Sequence, residues 1–130
     1  MLPVTALHAG LLGLGFLWLS VRVIRARGAH RVALGTGGHA VVERTVRAHG
    51  NFAEYVPMAL VILALLEANG VPAWALHLLG LALLAGRALH AWNIAREAEV
   101  LRLRVIGMSL TFAVLGMGSL TLLGLAAARF

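Results

Sequence analysis

Four long apolar runs separated by short polar stretches organise the whole sequence. The first run, from Pro3 to Val21, carries no formal charge, whereas the second and third carry charged residues near one end. A helix needs about 20 predominantly apolar residues to cross the hydrocarbon core of a bilayer. The pattern therefore predicts an all-α integral membrane protein with a single domain, residues 1–130. Its four spans are predicted at about 3–23, 45–67, 73–93 and 104–128.

The amino-acid composition also indicates an integral membrane protein. Hydrophobic residues make up 61% of the chain and charged residues only 12%, whereas a soluble domain is roughly half apolar and a quarter charged. These values exclude an ordinary soluble globule and a disordered chain. The net charge is +6, and all 11 of the basic residues are arginine. Those arginines are not interleaved with stacking aromatic residues, so the bilayer, and not a nucleic acid, is the predicted partner.

The distribution of arginine predicts the orientation in the membrane. Five arginines lie in or beside the first connection between spans, three lie in the third connection and none lies in the second. The positive-inside rule places the first and third connections in the cytoplasm and both termini outside. The exclusive use of arginine over lysine is typical of a GC-rich bacterial genome. A bacterial cytoplasmic (inner) membrane is therefore the expected location.

One face of the second span is more polar than helix packing alone requires. Arg47, Asn51, Glu54 and Tyr55 occupy positions i, i+4, i+7 and i+8, which lie on one side of an α-helix. An ionised carboxylate in or near the hydrocarbon costs several kcal/mol unless it is paired. A salt bridge that only fixes helix packing and a site that binds a charged ligand both explain such a face.

The third span offers matching polarity. Arg87 and His90 lie at i and i+3 near its cytoplasmic end, and Arg87 is the predicted partner of the Glu54 carboxylate. His8 and His77 are isolated in the sequence, near the outer side. No pair of histidines has a spacing typical of metal ligands, and the chain has no cysteine, so no metal site is predicted.

The segment with Arg47, Asn51, Glu54-Tyr55 and Pro57 resembles the second-helix signature of the MAPEG family, the membrane-associated proteins of eicosanoid and glutathione metabolism. The end of the first span and the four-span layout are also similar to the family. The resemblance implies a left-handed four-helix bundle assembled as a homotrimer. It implies that glutathione binds as co-substrate between neighbouring subunits, near the cytosolic leaflet.

The resemblance also implies roles for individual residues. Glutathione would be bound by Arg47, Asn51, Glu54, Tyr55, Arg87 and His90, with Arg27 contributed by the adjacent subunit. Arginine forks suit the two carboxylates of the peptide, and a glutamate suits its ammonium group. Arg104, with Arg102 as the alternative, would stabilise the thiolate, which is the nucleophilic form of the thiol. His90 and Ile94 stand where the family often has tyrosines.

The predicted function is thus that of a membrane glutathione transferase, or a glutathione peroxidase, acting in detoxification on apolar electrophiles that enter from the lipid. A non-catalytic protein with the same fold is the first alternative, because His90 and Ile94 replace tyrosines. A small multidrug exporter is a weaker alternative. That class needs an acidic residue in its first span, where the run from Pro3 to Val21 has none.

Overall fold

The computed structural model describes residues 1–94, 96, 98 and 100–129, and this part of the chain forms four helices. They are α1 (Pro3–Ala29), α2 (Ala40–Ala68), α3 (Ala73–Ile94) and α4 (Leu101–Ala127). All four are long and apolar enough to cross a membrane, which confirms the predicted all-α, four-span architecture. Helices α1 and α2 extend beyond their predicted spans at the arginine-rich end, because the alanines and arginines there favour helix.

The helices form a bundle in which α2 and α3 are central. Helix α1 packs against α2 and α3, and α4 packs against the same pair from another side. Many large apolar side chains, including Leu14, Leu78 and Leu120, remain exposed on the outer faces of the bundle. Helices that are hydrophobic on all sides are stable in lipid and not in water. The chain is therefore a multi-pass membrane protein.

Close approach of two backbones fixes the contact between α3 and α4. A Cβ atom added to Gly86 would lie 2.9 Å from the Gly107 carbonyl oxygen, and one added to Gly107 would lie 2.8 Å from the Gly86 carbonyl oxygen. Neither distance is tolerable, so both positions need glycine. Small residues at such crossings let helices approach closely in lipid.

A buried asparagine joins the end of α3 to the start of α4. Asn93 is fully buried, and its side-chain amide donates a hydrogen bond of 3.1 Å to the Val100 carbonyl oxygen. The Val100 N–H donates in return to Asn93 Oδ1 at 3.0 Å. This pair of bonds sets where α4 begins and therefore where its first-turn arginines, Arg102 and Arg104, stand.

At the opposite end of the bundle, Glu67 of α2 caps α1. Its two carboxylate oxygens accept hydrogen bonds from the backbone N–H groups of Val4 at 2.9 Å and Thr5 at 2.7 Å. Helix α1 has no acidic residue in its own first turn, so these N–H groups would otherwise lack partners. A carboxylate at this position also interacts favourably with the helix dipole.

His8 and His77, which the sequence left isolated, are paired. His8 Nε2 lies 3.3 Å from His77 Nδ1, and the His8 side chain is buried against the backbone of Gly80. Both histidines lie in the second turn of their helices, and α1 and α3 run in the same direction. No sequence pattern indicated this pair, because equal depth in neighbouring helices is not visible as a spacing.

Candidate functional site

The polar residues of α2 and α3 meet in the arginine-rich half of the bundle. Arg87 is only 2% exposed, and its Nη1 donates to Asn51 Oδ1 at 2.6 Å and more weakly to the Asn51 carbonyl oxygen at 3.4 Å. Its Nη2 donates to the thioether sulfur of Met108 at 3.2 Å. A buried guanidinium is costly, and these contacts partly compensate for its lost hydration.

Tyr55 lies over this guanidinium. Arg87 Cζ is 5.7 Å from the centre of the Tyr55 ring, within the range of a cation–π interaction. The Tyr55 ring in turn packs against Phe112 of α4, with ring centres 5.6 Å apart. Arg87 of α3 and Phe112 of α4 thus hold Asn51 and Tyr55 of α2 in fixed positions. Both side chains nevertheless remain half-exposed.

The structure corrects the predicted partner of Glu54. Its side chain is exposed, and no guanidinium of the described residues pairs with it; Arg87 binds Asn51 instead. The reason is rotation about the helix axis: with 3.6 residues per turn, Glu54 is turned by about 60° from Asn51. This rotation moves the carboxylate away from α3. The alternative of a packing salt bridge within one chain therefore does not hold for Glu54.

Arg47 lies on the same exposed surface. It is two turns from Glu54 along α2, and the part of the chain that the structure describes supplies it with no hydrogen bond or ion pair. The exposed surface of α2 formed by Arg47 and Glu54, with Asn51 and Tyr55 beside it, is called here the polar face. It presents one cation, one anion and two neutral hydrogen-bonding groups.

The other predicted residues surround the polar face without completing it. Arg27 lies in the last turn of α1 and has no hydrogen bond to the polar face within the described chain. Arg102 and Arg104 are exposed in the first turn of α4. His90 and Ile94 are buried, and Ile94 belongs to the apolar core.

Two contact residues were not foreseen from the sequence. Met108 and Phe112 lie four and eight residues after Arg104, so all three share one face of α4. Their i, i+4, i+8 spacing was the signal that could have identified them. His49, a neighbour of the polar face, instead contacts α1: its Nε2 lies 3.1 Å from Ser20 Oγ, and its ring stacks on Phe16.

The polar face can bind a small zwitterion. Because Arg87 occupies Oδ1 of Asn51, the amide nitrogen of Asn51 is left to donate hydrogen bonds to an acceptor. Arg47 can bind a carboxylate through two parallel N–H bonds, and Glu54 can accept from an ammonium group. These capacities match a peptide that carries both charges.

Comparison with known proteins identifies membrane-protein relatives of this chain. The chain is 39% identical over 112 residues to the inner membrane protein YecN of Escherichia coli strain K12. The matched region covers 86% of this chain and 84% of YecN. The YecN protein of Escherichia coli O6:H1 strain CFT073 matches to the same extent. The family model of MAPEG matches residues 5–124, which include all four helices almost completely. This protein, with its four spans and its polar second helix, belongs to the MAPEG family.

Proposed function

We propose that this protein is a membrane-bound glutathione transferase that conjugates apolar electrophiles. The observation that carries the proposal is the polar face, where Arg47 and Glu54 stand exposed on a helix that is apolar enough to span a membrane. Unpaired charges at such a position cost several kcal/mol. A partner from outside the chain would remove this cost.

Glutathione carries groups that can pair with the charged and hydrogen-bonding side chains of the polar face. Its ammonium group would pair with Glu54, one of its carboxylates would pair with Arg47, and its amides would bond to Asn51 and Tyr55. Arg87 acts in this scheme as a positioning residue, because it fixes the amide of Asn51 and does not face Glu54. Charge-assisted bonds of this kind are roughly twice as strong as neutral ones.

A second copy of the chain would complete the site. The polar face lies on the surface of one chain, so a ligand there would remain half-exposed to lipid or water unless a neighbour covered it. We propose a homotrimer in which Arg27 of the adjacent subunit contributes the second guanidinium for the two carboxylates of glutathione. The half-buried position of Arg27 at the arginine-rich end of α1 supports this placement.

Arg104 is the proposed catalytic residue. It shares one face of α4 with Met108 and Phe112, which contact Arg87 and Tyr55, whereas Arg102 is turned away from that face. A guanidinium beside the cysteine sulfur stabilises the thiolate. The thiol would release its proton to water, and the thiolate would attack an electrophilic carbon, form the C–S bond and expel the leaving group. With a dinitrohalobenzene, the leaving group is halide.

The proposed location is a bacterial inner membrane, with both termini outside and the polar face toward the cytoplasm. The name of the E. coli relative, an inner membrane protein, supports a location in the inner membrane. The positive-inside rule supports the orientation, since the first and third connections carry the arginines.

Purified protein in detergent tests the catalytic proposal. Glutathione would be added while the ultraviolet absorbance of the thiolate and the conjugation of a dinitrohalobenzene are followed. Wild type should form thiolate and conjugate, and Arg104→Ala should lose both while binding glutathione. Arg102→Ala, the matched change two residues away, should retain activity. Absence of glutathione binding at millimolar concentration would overturn the proposal.

A non-catalytic role for the same fold is the second candidate. Ile94, at a position where the family often has a tyrosine, is part of the apolar core and offers no hydroxyl group. In this case, glutathione would bind to the polar face without thiolate formation or conjugation. The same titration therefore separates the two candidates.

A further inference from the structure

An apolar groove runs along α1 and α3 and is separate from the polar face. Its volume is about 240 Å³, and side chains such as Leu11 and Leu84 form its walls. Trp18 and Trp92 lie at its arginine-rich end, and both are about half exposed. Ligand pockets usually measure ~300–1,000 Å³, so this groove suits one slender apolar chain better than a bulky molecule.

One cation lines the groove. Arg87 is almost fully buried, and its Nη groups are used by Asn51 and Met108. Its Nε–H, by contrast, has no hydrogen-bond partner among the described residues. A buried donor without a partner is uncommon in native proteins. This N–H is itself buried, so Arg87 contributes positive charge to the wall of the groove and not an exposed donor.

Two further arginines stand at the mouth of the groove. Arg22 Cζ lies 4.9 Å from the Trp18 ring centre, and Arg96 Cζ lies 4.5 Å from the Trp92 ring centre. Each arginine follows its tryptophan by four residues. Stacking holds both guanidinium groups beside the groove, and no residue that the structure describes accepts a hydrogen bond from them. Their N–H groups can therefore bind an anion.

We propose that the groove binds one anionic phospholipid of the bilayer. The phosphate is held by Arg22 and Arg96 at the mouth, and one acyl chain fills the apolar groove. The positive charge of Arg87 in the groove wall adds to the attraction for an anionic lipid. Basic residues at helix ends beside an apolar groove are the recognised chemistry for anionic lipid head groups. The lipid site does not depend on glutathione, because no residue of the polar face lines the groove.

Fluorescence quenching by lipids with brominated acyl chains tests the site. In Trp74→Phe protein, the two remaining tryptophans, Trp18 and Trp92, both line the groove. The protein would be reconstituted in vesicles that mix brominated phosphatidylglycerol or brominated phosphatidylcholine with the unbrominated lipid. Each arginine near a membrane surface strengthens the attraction to an anionic lipid by about fivefold. We therefore expect phosphatidylglycerol to bind at least about fivefold more tightly than phosphatidylcholine.

Charge-matched variants separate a site from general attraction to a basic surface. Arg22→Gln/Arg96→Gln should reduce the preference to about onefold, because both head-group ligands are lost. Arg25→Gln/Arg44→Gln removes the same charge from the same end of the bundle and should keep the preference. Equal quenching by both lipids in wild type, or equal loss in both double variants, would overturn the proposal.

Two further measurements test the acyl chain. Ala88 is exposed and lines the groove, so Ala88→Leu should fill the groove without disturbing folding and should weaken phosphatidylglycerol binding severalfold. Soluble glycerol phosphate at millimolar concentration should not displace the lipid. Unchanged binding in Ala88→Leu, or full displacement by the soluble anion, would show an anion site without an acyl groove and would contradict the proposal.

Discussion

The guanidinium of Arg87 and the side-chain amide of Asn51 are joined by a hydrogen bond of 2.6 Å between α3 and α2. The bond places a buried cation behind an exposed polar face. It leaves the amide nitrogen of Asn51 and the charges of Arg47 and Glu54 directed to the outside of the chain. Stability should therefore depend mainly on the Arg87–Asn51 bond, and binding of a ligand's charges on Arg47 and Glu54.

Asn51→Ala should destabilise the protein. The change removes the strongest partner of a guanidinium that is 2% exposed, and a buried charged donor left unsatisfied costs about 2 kcal/mol or more. Unfolding in mixed micelles measures the loss. Asn69→Ala is the control, because its bond to the Leu65 carbonyl is local and exposed, and we expect less than about 0.5 kcal/mol there. Equal effects would contradict a structural role for the Arg87–Asn51 bond.

Alanine at Gly86 or Gly107 should weaken the contact between α3 and α4. The added Cβ would meet a backbone oxygen at 2.9 Å or 2.8 Å, and a backbone cannot turn away as a side chain can. Overpacking of this kind costs about 1–3 kcal/mol. Gly116→Ala, where the new methyl meets nothing within 4 Å, should be neutral or stabilising. Thermal unfolding in detergent compares the three variants, and a neutral Gly86→Ala would count against the close crossing.

Glu67→Ala should loosen the start of α1. Loss of a side-chain cap costs about 1 kcal/mol, and here two N–H groups lose their acceptor. Hydrogen exchange should accelerate at Val4 and Thr5. Glu43→Ala changes an exposed acid in the first turn of α2 and should leave the exchange of α1 unaffected. Protection of Val4 and Thr5 that survives Glu67→Ala would exclude the cap.

The sequence predicted the four-helix architecture because the length of an apolar span is a strong signal. Each apolar run is long enough to cross a bilayer, and all four became helices. The i, i+4 spacing also placed Asn51 and Tyr55 correctly on the side of α2 that meets Arg87. A periodic pattern within one helix is sufficient for such predictions.

Contacts between helices were less predictable. Arg87 was assigned to Glu54, although a rotation of about 60° between Asn51 and Glu54 decides which one it meets. Charge complementarity favoured the wrong partner because sequence spacing does not fix helix rotation. The Glu67 cap and the paired bonds of Asn93 likewise join distant ends of elements, and no periodicity marks them.

Calorimetric titration of the detergent-solubilised protein with glutathione and with an analogue that lacks the α-ammonium group is the most direct test of whether the polar face binds a zwitterionic peptide. Wild type should bind glutathione saturably and the analogue about tenfold or more weakly, because a charged bond is worth about 1.5–3 kcal/mol. Glu54→Gln should bind both ligands with equal, weakened affinity, whereas Glu43→Gln should behave as wild type. Failure of wild type to bind millimolar glutathione, or an unchanged preference in Glu54→Gln, would contradict the assignment of the polar face to glutathione.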